Sequence, residues 1–517
     1  MAKVHQNGVT EWKVPQGQVT VTTPDGGKVN LPTFLKGDGS YWVRYASAQV
    51  GVHKYQAGSE SGEIEVTPYT GNNPLYKHGA VRAASKKHLE HADGTPFFWL
   101  ADTWWMGLTT RLLYPEGITE LAEDRVKKGF TAVQIVAGLY PDMGPFDPRG
   151  KNEVGYPWDE KFTEINPAFF DAADKKIAYI VEQGLMPCIV GCWGYYVDFA
   201  GKEVMRKHWD HLVARWGAYP VMWCMAGEVF MPYYNNPGIL DGTLKHADYE
   251  AQVRADWIEL TDHVRATDPF KRTITVHCPH HVSGEYDTGM HVDVHMTGTT
   301  HSGPMGLVTN IVKVKEALDV GALPLINSEV NYEGICGSSY ADVQRHVFMV
   351  DMLLGCCGHT YGANGIWQLN TRTEAYGPSP HGSSWGDTPW EDAYQLPGSG
   401  QVGNAKRFMC KFDWWRFEPH PEWIEFPNDN KSLDGSFSAG IPGEVRFIFF
   451  PMFGKAANEN NKILQLDGEY HAYFYDIIQD QIHDLGMAAP DAEGVWKTPR
   501  VPLFQDWVVV LSKKSIA

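Results

Sequence analysis

The chain has 517 residues, 43% of them hydrophobic, enough to bury more than one core and in keeping with two or three domains. Its formal net charge is −18 and it has no run of Lys or Arg, which argues against nucleic acid or an anionic membrane as the main partner. No stretch is long and apolar enough to span a bilayer.

The opening MAKVHQNGVTEW lacks an apolar signal-peptide core, so the expectation is a cytoplasmic protein, or a secreted or periplasmic one whose signal peptide has been removed. The eight cysteines (Cys188, Cys192, Cys224, Cys278, Cys336, Cys356, Cys357, Cys410) fall mostly in apolar segments and read as small buried hydrophobes rather than a disulfide framework. Aromatics make up 13% of the chain, with 19 Trp. Core packing accounts for most of these, but indole and phenol rings also suit sugar rings.

Residues 1–80 alternate apolar and polar positions (Val19, Val21, Thr23; Tyr41, Val43, Tyr45; Ile64, Val66, Pro68) between turns at 24–27 and 36–39, which predicts a small β-sandwich. From 81 to 417 the rhythm becomes strand, loop, helix. Strands are expected at 97–105, 131–138, 186–193, 221–228, 272–278, 293–296, 323–329 and 358–362. Helices are expected at 118–128, 167–184, 203–216, 246–267, 308–318, 340–354 and 402–412. Eight strands alternating with helices predict a (β/α)₈ TIM barrel. A doubly wound sheet is the rival, but no Gly-rich phosphate loop follows the first strand. Residues 418–517 alternate again, as in VRFIFF (445–450), YHAYFYD (470–476) and WVVVLS (507–512), and predict a C-terminal all-β domain.

Two strands share a design: VMWCMAGE ends on Glu228 and LPLINSE on Glu329. In a barrel of parallel strands the chemistry gathers at the C-terminal ends. Strands four and seven lie across the mouth from one another, so the two carboxylates can flank one glycosidic bond. Either glutamate alone reads as a solvated loop residue; two, each ending a buried strand, read as a catalytic pair. Asp102, Trp104 and Trp105 end the first strand, where a carboxylate can meet sugar hydroxyls while the indoles stack, or where they can serve as an N-cap or a core packing pair. Trp193 after the third strand and Trp367 after the eighth are further candidate sugar platforms.

His277, His280, His281, His291, His295 and His301 crowd one region. No His-Glu-x-x-His helix or Cys-x-x-Cys pair accompanies them, so substrate contact or positioning of a carboxylate is favoured over a metal. Cys278 beside His277 is disfavoured as a thiol dyad, because neighbours on a strand point to opposite faces.

The segments FFWLADTWW, DRVKKGFTAVQIV (124–136), VMWCMAGE, HMTGTTHSG (295–303), PLINSEVNYEG (324–334) and GHTYGANGIWQ (358–368) together resemble the apiosidase-like glycoside hydrolases, grouped around glycoside hydrolase family 140. The first 80 residues resemble the β-sandwich that often precedes such barrels, and the C-terminal segment resembles a collagen-binding-type β-domain. The resemblance implies a retaining (β/α)₈ enzyme with Glu228 as acid/base and Glu329 as nucleophile. It also implies that Asp102, His295, His301, Tyr332, Glu333, His359, Tyr361 and Trp367 face the pocket. Glu333 is the rival nucleophile; Glu329 is preferred because it ends the strand directly. The family usually carries Asp, in a Gly-Gly-Asp context, where this chain has Ala-Gly-Glu at 226–228.

The expected activity is therefore removal of a terminal sugar from an oligosaccharide or glycoside, with a carbohydrate as partner and neither metal nor other cofactor. A homo-oligomer stays compatible with the sequence. Two rivals are carried: a metal-dependent hydrolase or lyase using the histidine cluster between His277 and His301, and a noncatalytic carbohydrate-binding protein.

Overall fold

Eight parallel strands form the centre of the protein: β1 (Trp99–Thr103), β2 (Ala132–Val136), β3 (Met186–Val190), β4 (Met222–Gly227), β5 (Ile274–His277), β6 (His295–Gly298), β7 (Leu325–Glu329) and β8 (Gly358–Tyr361). The computed structural model describes residues 2–85, 87–277, 289–321, 323–454 and 461–516. The hydrogen-bonded order is β5-β4-β3-β2-β1-β8-β7-β6. The outer strands of that order meet through Asp293 N to Ile274 O and Thr275 Oγ1 to Val294 O, both 2.8 Å, and so nearly close a barrel. Almost every strand residue is buried, as expected where helices cover the outside of a parallel sheet.

The covering helices are α1 (Glu116–Lys128), α2 (Pro167–Glu182), α3 (Lys202–Trp216), α4 (His246–Thr267), α5 (Leu307–Val320), α6 (Ala341–Leu354) and α7 (Pro397–Met409). Their boundaries follow local signals: Pro opens α2 and α7, and left-handed Gly129 and Gly355 close α1 and α6. The sequence placed the last helix at 402–412, whereas α7 begins at Pro397. Its glycine-rich opening reads as a turn, but the Gly398 amide at its N-terminus donates to the Glu333 carboxylate at 3.0 Å and anchors it. The first strand is also shorter than expected, because Trp104 and Trp105 lie beyond it.

The N-terminal residues form a five-stranded sheet and a three-stranded sheet. Val19 and Val21 from one share a core with Val43 and Tyr45 from the other, which makes a sandwich. Arg44 fastens it to the barrel, donating to Asp174 on α2 at 2.6 Å and to the Arg215 carbonyl on α3 at 2.7 Å. The C-terminal residues form a six-stranded sheet, mainly antiparallel, and a two-stranded one. Among the described residues no helix is long and apolar enough to cross a membrane. Cys188, Cys192, Cys224, Cys356 and Cys357 are buried as expected; Cys336 and Cys410 are exposed, which corrects the reading for those two, and Cys278 lies outside the described residues.

Candidate active site

Both strand-ending glutamates emerge where a strand ladder loses register. β4 pairs β5 as far as Cys224 with Thr275 and then slips, so that Gly227 faces His277. β6 and β7 slip between Thr297 and Gly298, leaving Gly298 opposite Glu329. Such irregularities re-aim side chains at barrel rims, and here each turns a carboxylate over the mouth.

Glu228 is 5% exposed and has φ +42°, a left-handed conformation unusual for a non-glycine residue. Its amide donates to the His277 carbonyl at 2.9 Å, and its carbonyl accepts from Met231 at 2.8 Å. Those bonds hold the strained backbone. Its Oε2 accepts the indole N–H of Trp193 at 3.0 Å. The Trp193 ring lies so close over Gly227 that a Cβ there would overlap it, so the residue before Glu228 has to be glycine.

Glu329 is gripped by side chains. Tyr332 donates its hydroxyl to Oε1 at 2.8 Å, and His301 Nε2 lies 3.1 Å from the same oxygen. His277 Nε2 stands 3.4 Å from Oε2. The Tyr332 ring packs on Gly362 just past β8, where again no Cβ fits. His277 is fully buried, and burial holds its pKa below the ordinary value although Glu329 and Glu228 pull it upward. A neutral imidazole therefore sits beside the Glu329 carboxylate. Its ring meets Trp105 edge-on at 5.0 Å and Trp193 at 5.9 Å, so two indoles and an imidazole support both carboxylates.

One cleft holds Glu228 and Glu329, with Trp105, Trp193, Tyr234, His301, Tyr332, Trp367 and Trp385 around them. Tyr332 stacks between His301 at 4.6 Å and Trp367 at 6.2 Å. A third carboxyl, Asp142, lines the same cleft from the loop after β2. Burial, reinforced by Glu228 and opposed by Ser379 and Arg149, pushes its pKa up to about 6.

Of the expected site residues, Glu228, Glu329, Trp105, Trp193, His301, Tyr332 and Trp367 come together here. The others are placed elsewhere, and their expected pocket contact is corrected as follows. Asp102 has no exposed surface: Oδ1 accepts the Thr103 amide at 2.8 Å, and Oδ2 accepts Trp104 Nε1 at 2.8 Å and Arg125 Nε at 2.6 Å. Trp104 is thereby a core residue that ties the end of β1 to α1. Glu333 and Tyr361 form a second lock, with the Tyr361 hydroxyl 2.6 Å from Glu333 Oε2 and the Arg125 guanidinium 5.7 Å from the Tyr361 ring. Burial raises the Glu333 pKa. His359 is buried and bound through Nδ1 to Asp351 at 2.7 Å. His295 opens β6, at the end of the strand away from the mouth.

The histidines do not act as one group. His277 and His301 meet at Glu329, whereas His291 pairs with Asp262 on the surface at 2.8 Å. His280 and His281 lie outside the described residues. Among the described residues no three His, Cys, Asp or Glu side chains are grouped to hold a metal ion.

Trp105, offered by the sequence beside Trp104 as a stacking indole, lines the cleft, whereas three other lining residues, Asp142, Tyr234 and Trp385, were missed. Trp105 stood in the quoted DTWW motif, and its position just past the strand end was a usable signal. The other three lie in loops with no periodic pattern to place them.

Residues 83–416 match the model of the apiosidase-like catalytic domain. No curated protein sequence matches the chain significantly. Among solved structures, the chain is similar to a glycoside hydrolase family 5 protein from Bacteroides vulgatus ATCC 8482, with 18% identity, TM-score 0.69, and 86% of this chain and 95% of that one covered. A second protein from the same strain is similar at 15% identity and TM-score 0.67 over 99% of this chain and 100% of its own. These likenesses, at such low identity, show a shared fold.

Proposed function

The chain belongs to the apiosidase-like family of glycoside hydrolases, and on that premise we propose that it releases a terminal sugar by a retaining mechanism with Glu329 as nucleophile and Glu228 as acid/base. The observation that carries this is a pair of strand-ending carboxylates in one aromatic-lined cleft, each fixed by donors that set its orientation. Tyr332, His301 and His277 surround Glu329, which suits a group that must stay a carboxylate until it attacks. The neutral Trp193 indole orients Glu228, which suits a group that gains and loses a proton.

In the first step a Glu329 oxygen bonds to the anomeric carbon while the glycosidic C–O bond breaks, and Glu228 passes its proton to the departing oxygen. In the second, Glu228 takes a proton from water as the water oxygen displaces Glu329 from that carbon. Retaining pairs work at a carboxyl separation of about 5–5.5 Å. Trp105, Trp193, Trp367 and Trp385 wall the cleft, which favours a single terminal ring over a long chain.

The test uses paired variants on a panel of aryl glycosides and oligosaccharides. Glu329→Gln abolishes turnover with the fold intact, because an amide cannot attack the anomeric carbon. Glu228→Gln slows natural glycosides by about 10²–10⁴-fold, spares activated aryl glycosides, and is accelerated by azide. More than a few per cent of activity left in Glu329→Gln removes it as nucleophile. Equal losses on good and poor leaving groups remove Glu228 as the acid.

A further inference from the structure

Asp142 is more than a wall of the cleft. Its loop is clamped on both sides: the Tyr195 hydroxyl lies 3.1 Å from the Tyr140 carbonyl and 3.0 Å from that of Met143. The Tyr376 hydroxyl adds a contact of 3.4 Å to the Pro141 carbonyl. Between these clamps Asp142 is held at φ +58°, and its side chain is only 4% exposed. Oδ2 has no hydrogen-bond partner among the described residues. An acid in a strained conformation, buried with an oxygen unused, costs stability. Across the strap from residue 379 to 385, Ser379 accepts the Trp385 indole N–H at 2.8 Å, which fixes that ring against the same cleft.

No described lining residue is Lys or Arg. The guanidinium of Arg149 acts on Asp142 through space, yet both Asp147 oxygens clasp it, at 2.9 and 2.8 Å.

The geometry points to Asp142 as a third substrate-facing carboxyl, which accepts hydroxyls of the bound sugar and, with Glu228 and Glu329, stabilises the positive charge that develops on its ring. This rests on the reading of the cleft as a sugar site. The ring held there is uncharged or cationic, because a sugar carboxylate would meet three acids. Oxocarbenium-like charge on the ring is a feature of glycoside cleavage, and an acid in a water-poor cleft acts on such charge strongly.

The experiment compares full-length wild type with Asp142→Asn by calorimetry. The probes are polyhydroxylated pyrrolidines and piperidines, protonated at neutral pH, and their uncharged lactams. Asn tolerates a left-handed backbone, so this variant keeps the loop; Asp142→Ser replaces it if its melting curve shows a folding defect. At least one iminosugar binds the wild type, and the variant weakens it about tenfold or more while the matched lactam changes less than threefold. Equal loss of both ligands makes Asp142 merely structural and overturns the proposal. So does an unchanged iminosugar affinity, or a wild type that binds none of the panel. Activity surviving in Glu329→Gln would instead refute the catalytic assignment and leave the binding result standing, so the two failures are distinct.

Discussion

Replacing His346 with leucine should make the protein more resistant to acid. His346 lies on α6 with no exposed surface, edge-on to Phe437 at 6.4 Å, Phe449 at 6.0 Å and Phe453 at 5.7 Å of the C-terminal region. Neither ring nitrogen has a hydrogen-bond partner among the described residues, and burial lowers its pKa from 6.5 to about 3. The folded state thus keeps the imidazole neutral, while the unfolded chain takes up a proton near pH 6.5. Stability is complete above that pH and is lost as pH falls toward the folded value. At about 1.36 kcal/mol per unit, the loss reaches ~2 kcal/mol at pH 5 and ~3 kcal/mol at pH 4. His346→Leu removes this contribution. Were the whole chain to melt as one unit, 2 kcal/mol would move Tm by about 2 °C, so local amide exchange over α6 is the more sensitive assay. Other buried histidines contribute to both proteins and cancel in the difference. Denaturation and exchange curves of the two proteins that run parallel from pH 7.5 to 4.5 would refute the reasoning.

Gly227→Ala should push the Trp193 ring off the end of β4 and break its bond to Glu228; kcat is expected to fall at least tenfold on poor leaving groups and stability by about 1–3 kcal/mol, read from rate assays beside melting curves. Asp102→Asn should cost about 1.5–3 kcal/mol, because the buried Arg125 guanidinium loses one of its two carboxylate partners and keeps Asp124, measured by urea denaturation. KM of the surviving folded protein stays close to wild type, because Asp102 faces the core and not the cleft.

Burial of strands on both faces leaves a plain mark in sequence. Runs such as MWCMAG and AVQIV have no alternation, and their ends were therefore visible, along with the glutamates standing there. Register shifts leave no such mark: nothing in AGE or INSE says that the ladder slips at those residues. The DTWW segment shows a different limit. A polar residue at a strand end looks the same whether it faces a cleft or a neighbouring helix. Only Arg125, on α1 and brought beside Asp102 by the βα turn, decides between the two. Glu333 was ambiguous for the same reason, since its partners Tyr361 and Gly398 are distant in the chain. Asp142 was out of reach, because it acquires its role from a loop clamped by Tyr195 and Tyr376, each from another segment.

Helix α6 is buried over nearly its whole circumference, from Val343 to Leu353. One side carries Phe348 and Asp351 to the barrel, where both meet His359; the other carries His346 to the C-terminal phenylalanines and Arg345 to the buried Asp506 at 2.8 Å. A helix with buried residues on every side needs cover on every side. The C-terminal sheet is thus an outer skin of the barrel over the segment that follows Glu329. A version cut back to the catalytic region would bare a row of greasy side chains and orphan the Arg345 charge. Domain exchange among relatives would have to carry α6 and the sheet as one inherited block.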